Sequence, residues 1–258
     1  MRHVGIIAAR ELRSIFSTPA AFALFAVYLV FAGYVFALGL GFFLQQIEQI
    51  QAYQLMHLLE RFNLNQAVIA PALGTFAILF VVAVPLLTMR AFSEERANGT
   101  IELLLTCPIT TWEIVLGKYL AVLSVVAMLV GLSALFPLLL FFYGNPEPLQ
   151  TMAGLLGLFL LGAGLAALGC FTSSLTKSQI VAGLVGIVGG LFFWLFDLLA
   201  DAAQAESWGD PIRYLGIRPH FEEALRGLIR SQDLVYFGVL IVFCLAAART
   251  SLESLRWR

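Results

Sequence analysis

Apolar residues fall into six blocks, at approximately 21–44, 67–89, 119–142, 151–172, 180–200 and 234–250, with short polar intervals between them. A bilayer core of about 30 Å takes roughly 20 helical residues, so each block predicts a membrane-spanning helix. Pro71 and Pro85 in the second block and Pro137 in the third predict kinks, because neighbouring helices can satisfy the backbone groups a proline frees. "GLFLLGAGLAALG" (157–169) and "GLVGIVGG" (183–190) place small residues at helical spacing, which lets helix backbones approach closely within the chain or between subunits. Outside the blocks the period changes. In residues 2–16 Val4, Ala8, Leu12 and Ile15 share one face and Arg2, Arg10 and Arg13 the other, predicting a helix lying along the membrane interface. Glu11 falls on its apolar side and calls for an ion-pair partner. A Gln-rich segment, 45–62, carries Ile47, Leu55, Leu58, Leu59 and Phe62 roughly on one face. "PHFEEALRGLIR" (219–230) repeats Phe221, Leu225, Leu228 and Ile229 at helical spacing, with Glu222 and Glu223 early and Arg226 and Arg230 late, as a helix dipole favours.

The interval after the second block, "SEERANGTIELLLTCPIT" (93–110), is more structured than a linker. Gly99 suits a left-handed cap that ends the helix leaving the second block. Thr100 can start a short new helix with Glu102 in its first turn, and Ile101, Leu104 and Leu105 form its apolar face. Pro108 lies just past its end, and Thr110 with Glu113 makes a capping box for the next helix. The residues alone leave two covers open for that face: lipid headgroups with this chain's own spans, or a soluble partner.

Composition sharpens the membrane reading. Only 12% of the 258 residues are charged and 60% are hydrophobic, against about 25% charged in ordinary globular domains. The net charge of −1 gives no basic face for nucleic acid. Both ends and the second and fourth loops hold Arg2, Arg10, Arg13, Arg90, Arg96, Lys118, Lys177, Arg249, Arg256 and Arg258; the other side holds Arg61, Arg213, Arg218, Arg226 and Arg230. That asymmetry predicts both termini in the cytoplasm. The first block is too long for a signal-peptide core and reads as a true span. Cys107, Cys170 and Cys244 have no metal-like spacing and read as small apolar fillers.

The search for catalytic chemistry excludes more than it finds. His3, His57 and His220 lie outside the spans with no HExxH pair, so no metal site is predicted. GxSxG is absent. The spans carry almost no ionisable groups, Asp197 and Asp201 lying at the outer end of the fifth, so no proton or sodium relay is evident. The one Gly-Lys pair, Gly117-Lys118, lacks the remainder of a phosphate loop, so ATP chemistry would have to come from another chain.

"PLLTMRAFSEERANGTIELLLTCPITTWEIVLGKYLA" (85–121) resembles the signature between the second and third spans of type 2 ABC transporter permeases, and is most similar to the gliding-motility type. "ARELRSIFSTPAAF" (9–22) and "RPHFEEALRGLIRSQDLVYF" (218–237) resemble that type too. The resemblance implies an all-α integral membrane protein, with residues 1–258 forming a single permease domain. It has six transmembrane helices, an N-terminal interfacial helix, a cytosolic coupling helix within segment 91–117, and a short outer helix before the last span. It further implies a non-catalytic subunit in the bacterial cytoplasmic membrane. The partners would be a second permease, identical or related, and a cytosolic ABC ATPase dimer that binds ATP and Mg; membrane lipid surrounds the pair, and there is room for an extra outer subunit. Carried onto this chain, the coupling residues are Glu94, Glu95, Gly99, Thr100, Ile101, Glu102, Leu104, Leu105 and Pro108. Arg10, Glu11 and Arg13 belong to the bracing N-terminal helix, and His220, Phe221, Glu222 and Leu225 to the outer helix. Cys107 stands where relatives often carry a small polar residue. A cavity walled by Phe, Leu and Gly suits export of a lipid-like or amphipathic substrate. Two other readings remain: a scaffold that transmits ATPase motion without passing a substrate, and an intramembrane enzyme, which would need a polar cluster the sequence does not show.

Overall fold

The computed structural model describes residues 2–52, 63–100, 109–202 and 214–254. Within them the chain forms α1 (Arg2–Ser17), α2 (Pro19–Ala52), a π turn (Asn65–Ile69) running into α3 (Ala70–Thr88), then α4 (Ser93–Ala97), α5 (Thr111–Tyr143), α6 (Pro148–Leu175), α7 (Gln179–Ala202), α8 (Ile217–Leu225) and α9 (Ser231–Ser254). No strand occurs among the described residues. Six helical stretches are long and apolar enough to cross a membrane, matching the six sequence blocks in order.

The helices overrun the blocks because hydropathy sees only the lipid-facing part. α2 has 34 residues and is about 50 Å long, so its Gln-rich last turns extend past a core of roughly 30 Å. The rest of the 45–62 face lies outside the described residues. Pro85 and Pro137 sit inside α3 and α5, and Pro71 at the start of α3, just after the π turn.

α6 is the axis of the bundle. It packs on α3, α5, α7, α8 and α9, and 67% of its apolar window is buried against 28% for α2 and 22% for α7 and α9. Its glycines make this possible: a Cβ at Gly157 would overlap Ala224, one at Gly162 Val126, and one at Gly169 Thr88. In α7, Gly186 faces Pro85 and Thr172, and Gly190 faces Leu165 and Val81. Both small-residue stretches therefore serve packing inside this chain. Outward, Val27, Val30, Phe31 and Tyr34 of α2, Val188 of α7 and Val242 and Phe243 of α9 are each more than half exposed, an apolar exterior that water would not tolerate. Cys170 and Cys244 are buried free thiols, as fillers should be; Cys107 lies outside the described residues.

α1 differs from the expected interfacial helix in what its apolar face meets. Ile7 is buried and Val4, Ala8, Leu12 and Ile15 are half-buried, because the helix packs along α5. Gly117 supplies the space: a Cβ there would stand 2.8 Å from Ile7 Cβ and 3.1 Å from the Val4 carbonyl oxygen.

Candidate functional site

The helix that leaves the second span does not run to Gly99 in one piece, as the sequence reading expected. α3 stops at Thr88, a turn covers 89–92, and α4 is a separate five-residue helix. Its placement depends on Ser173 in α6. The Ser173 hydroxyl accepts from the amides of Phe92 and Ser93, at 3.0 and 3.1 Å, and donates to the Met89 carbonyl at 3.1 Å. One buried side chain thus satisfies three backbone groups that the break in the helix exposes. Arg96 adds a bond to the Ser174 carbonyl, which also accepts from Ser251 of α9.

α4 then ends as predicted. Asn98 closes it on the Glu94 carbonyl, and Gly99 follows with φ +71°, a conformation that costs glycine nothing. Thr100 donates its hydroxyl back to the Glu95 carbonyl at 3.4 Å. The body of the expected element, with Ile101, Glu102, Leu104, Leu105 and Pro108, lies outside the described residues. On its far side the capping box is present: the Glu113 amide donates to Thr110 Oγ1 at 3.3 Å, and the Thr110 amide to Glu113 Oε2 at 3.1 Å. α5 therefore begins at Thr111, and Trp112 in its first turn lies under the Arg249 guanidinium of α9 at 5.2 Å.

A four-charge cluster closes this end of the bundle, called here the near end. Lys118 of α5, with 2% of its side chain exposed, donates to Glu11 Oε1 of α1 at 2.7 Å and lies 3.0 Å from Glu95 Oε1 of α4. Arg10 Nη2 reaches the same two oxygens at 3.1 and 3.2 Å. Two cations and two carboxylates from three elements make a neutral knot, and the Phe92 ring covers Lys118 from 5.4 Å. This explains Glu11 on the apolar side of its helix: its partner is a buried lysine 107 residues away. Arg13 and Glu94 remain exposed. Glu95, Glu11 and Arg10 are thus brought together around Lys118, which the sequence reading had placed on the Arg- and Lys-rich side and in an incomplete phosphate motif but not in a site. Its signal was available: on α5 it shares a face with Ile114, Val115 and Val122, all buried.

At the far end, α8 is shorter than 219–230. It stops at Leu225, and Leu228 and Ile229, about half exposed, lie beyond it. Gly227 at φ +82° ends the helix: its amide bonds the Ala224 carbonyl and that of Leu228 the Glu223 carbonyl, the paired closure that a left-handed residue permits. Gln150 of α6 caps the Leu225 carbonyl at 2.9 Å. Ile217, His220, Phe221 and Ala224 turn into the bundle, and Glu222 holds Arg218 at 2.8 Å, which also reaches Asp197 at 3.4 Å. His220 Nδ1 is 2.6 Å from Asp233 Oδ1 and Nε2 is 3.0 Å from the Tyr214 carbonyl. A carbonyl can only accept, so Nε2 donates to it and Nδ1 faces the carboxylate. Tyr236 stacks on the imidazole at 4.1 Å and Tyr214 meets it edge-on at 4.9 Å. Asp233 is a member of this site that the sequence reading missed.

Six helices long and apolar enough to cross a membrane, with lipid-compatible exteriors, define a multi-pass membrane protein. Residues 6–252 match the model of the ABC-2 family transporter proteins, and the chain belongs to that family. It is accordingly the non-catalytic membrane subunit of an ABC transporter and associates with an ATP-binding subunit. No curated protein matches the chain significantly.

Proposed function

We propose that the chain is the permease half of an exporter of the gliding-motility type, and that segment 91–117 couples it to a separate cytosolic ATPase dimer. A second permease, identical or related, completes the translocation path, and the ATPase holds ATP and Mg. The near end, with both termini, faces the cytoplasm of a bacterial cell across its cytoplasmic membrane, in keeping with the excess of Arg and Lys there. The substrate is lipid-like or amphipathic.

The observation that carries the coupling reading is the knot centred on Lys118. The segment between α4 and α5 has both ends fixed: α4 to α6 through Ser173 and Arg96, and α5 to α1 through Lys118 and Glu11. A push on residues 101–108 is thereby delivered to α1, α3, α5 and α6 together.

The test is co-purification from the native host in mild detergent, with ATP hydrolysis as readout, for wild type, Gly99→Pro and Glu102→Arg. Proline cannot adopt φ +71°, and Glu102→Arg reverses charge within the segment. The expected result is a soluble ATPase with wild type that is lost or uncoupled in both variants. Full ATPase activity in both variants would remove 93–110 as the docking element.

A further inference from the structure

The near end holds a cavity of about 260 Å³ between the α1–α2 elbow, the last turns of α3 and the first turns of α5. Leu24, Leu86, Leu87 and Val122 line the part that faces the spans. Four charged side chains line the remainder: Glu11, Lys118, Arg90 and Glu94. Glu11 and Lys118 pair with each other. Arg90 and Glu94 are exposed, and neither has an ion-pair partner among the described residues. The lining is therefore neutral as a whole, with one unpaired cation and one unpaired anion above an apolar floor.

We propose that this cavity binds the headgroup of an ethanolamine phospholipid as a resident lipid of the permease. Arg90 takes the phosphate through its planar fork of donors, with the nearby Ser14 hydroxyl as a further donor. Glu94 takes the ammonium. The ester end and first methylenes rest on Leu24, Leu86 and Leu87. The cavity falls below the roughly 300–1,000 Å³ of pockets that enclose whole drug-sized molecules, so it admits a headgroup and the start of the chains and leaves the tails in the bilayer. Its level fits, because α2 begins at Pro19 and α3 ends at Thr88, both beside it. Charge complementarity selects the lipid. An anionic headgroup without an amine would leave Glu94 facing it unpaired, and a choline headgroup has no N–H to donate to Glu94.

The inference does not rest on ATPase docking, and its test needs no ATPase. The full chain is extracted in mild detergent and its retained lipid counted by native mass spectrometry after exchange into mixtures of phosphatidylethanolamine, phosphatidylcholine and phosphatidylglycerol with matched acyl chains. Wild type is expected to retain one phosphatidylethanolamine per chain, about tenfold in preference to the other two. Arg90→Ala and the cavity-filling Leu87→Trp should each cut retention by about tenfold, and Glu94→Gln should erase the preference over phosphatidylcholine while retention itself persists. Equal retention of all three lipids, or retention unchanged in Arg90→Ala and Leu87→Trp, would mean surrounding bilayer lipid only and overturn the proposal. A preference for phosphatidylglycerol would overturn the role given to Glu94.

Discussion

At the near end α1, α4 and α5 meet through four charged side chains, whereas at the far end α8 is held to α9 by one imidazole set among two tyrosines and an aspartate. The two solutions respond differently to displacement. Coulomb attraction falls only as the inverse of distance, so Lys118 and Arg10 can exchange partners between Glu11 and Glu95 as the helices shift. Hydrogen bonds weaken steeply as they lose alignment, and the His220 ring makes one on each side while stacked on Tyr236. The near end is a joint that keeps its cohesion through small movements; the far end is a fixed pin.

The largest effect should come from Lys118→Met. Removing the central cation leaves Glu11 and Glu95 with only the exposed Arg10 between them, and thermal unfolding in detergent should show a loss of about 3 kcal/mol, the low end for breaking a buried pair because both carboxylates keep some solvent contact. Adding Glu11→Gln and Glu95→Gln to that variant should restore most of the loss. If the triple variant is as unstable as the single one, packing and not charge holds the joint.

Asp233→Ala probes the pin. It strands a buried imidazole nitrogen, at a cost of about 2 kcal/mol, while Asp233→Asn keeps a hydrogen-bonding group at Nδ1, its amide donating or accepting as the ring requires, and should cost less than about 1 kcal/mol on the same scale. Equal losses in the two variants would make the far end an ionic site like the near one. Gly117→Ala, which presses a methyl group on Ile7 and Val4, should cost about 1–3 kcal/mol as overpacking and raise proteolytic cleavage around Thr18, where α1 meets α2. The smallest effect belongs to Arg10→Ala. Its side chain is 56% exposed, so the change should stay within about 0.5 kcal/mol and vanish in high salt; a larger, salt-resistant loss would show that Arg10 shares the role given to Lys118.

The sequence made the spans legible because a bilayer imposes one length and one polarity on every helix that crosses it. Local punctuation was legible too: Gly99, and Thr110 with Glu113, act within a few residues and occur where expected. The overlong estimate for α8 came from weighting the apolar repeat to Ile229 above Gly227, whose backbone conformation ends the helix first. The near-end knot was half visible. Glu11 on an apolar face announced a missing partner, and Lys118 lies on an apolar face of its own helix, but nothing in the sequence joins the two across 107 residues. Ser173 and Asp233 were not visible at all, since a lone serine in a span and an aspartate at a helix start have ordinary local explanations.

The Ser173 hydroxyl also constrains biogenesis. Its amide partners Phe92 and Ser93 are made about eighty residues earlier, so on a chain synthesised from its N-terminus the turn at 89–92 has no such partner while the third span is being threaded into the bilayer. Until the fourth span arrives, those two amides need water or another partner. Insertion of α6 is therefore the step that gives the turn at 89–92 its buried hydroxyl partner, so this junction is finished only when the central helix of the bundle is in place.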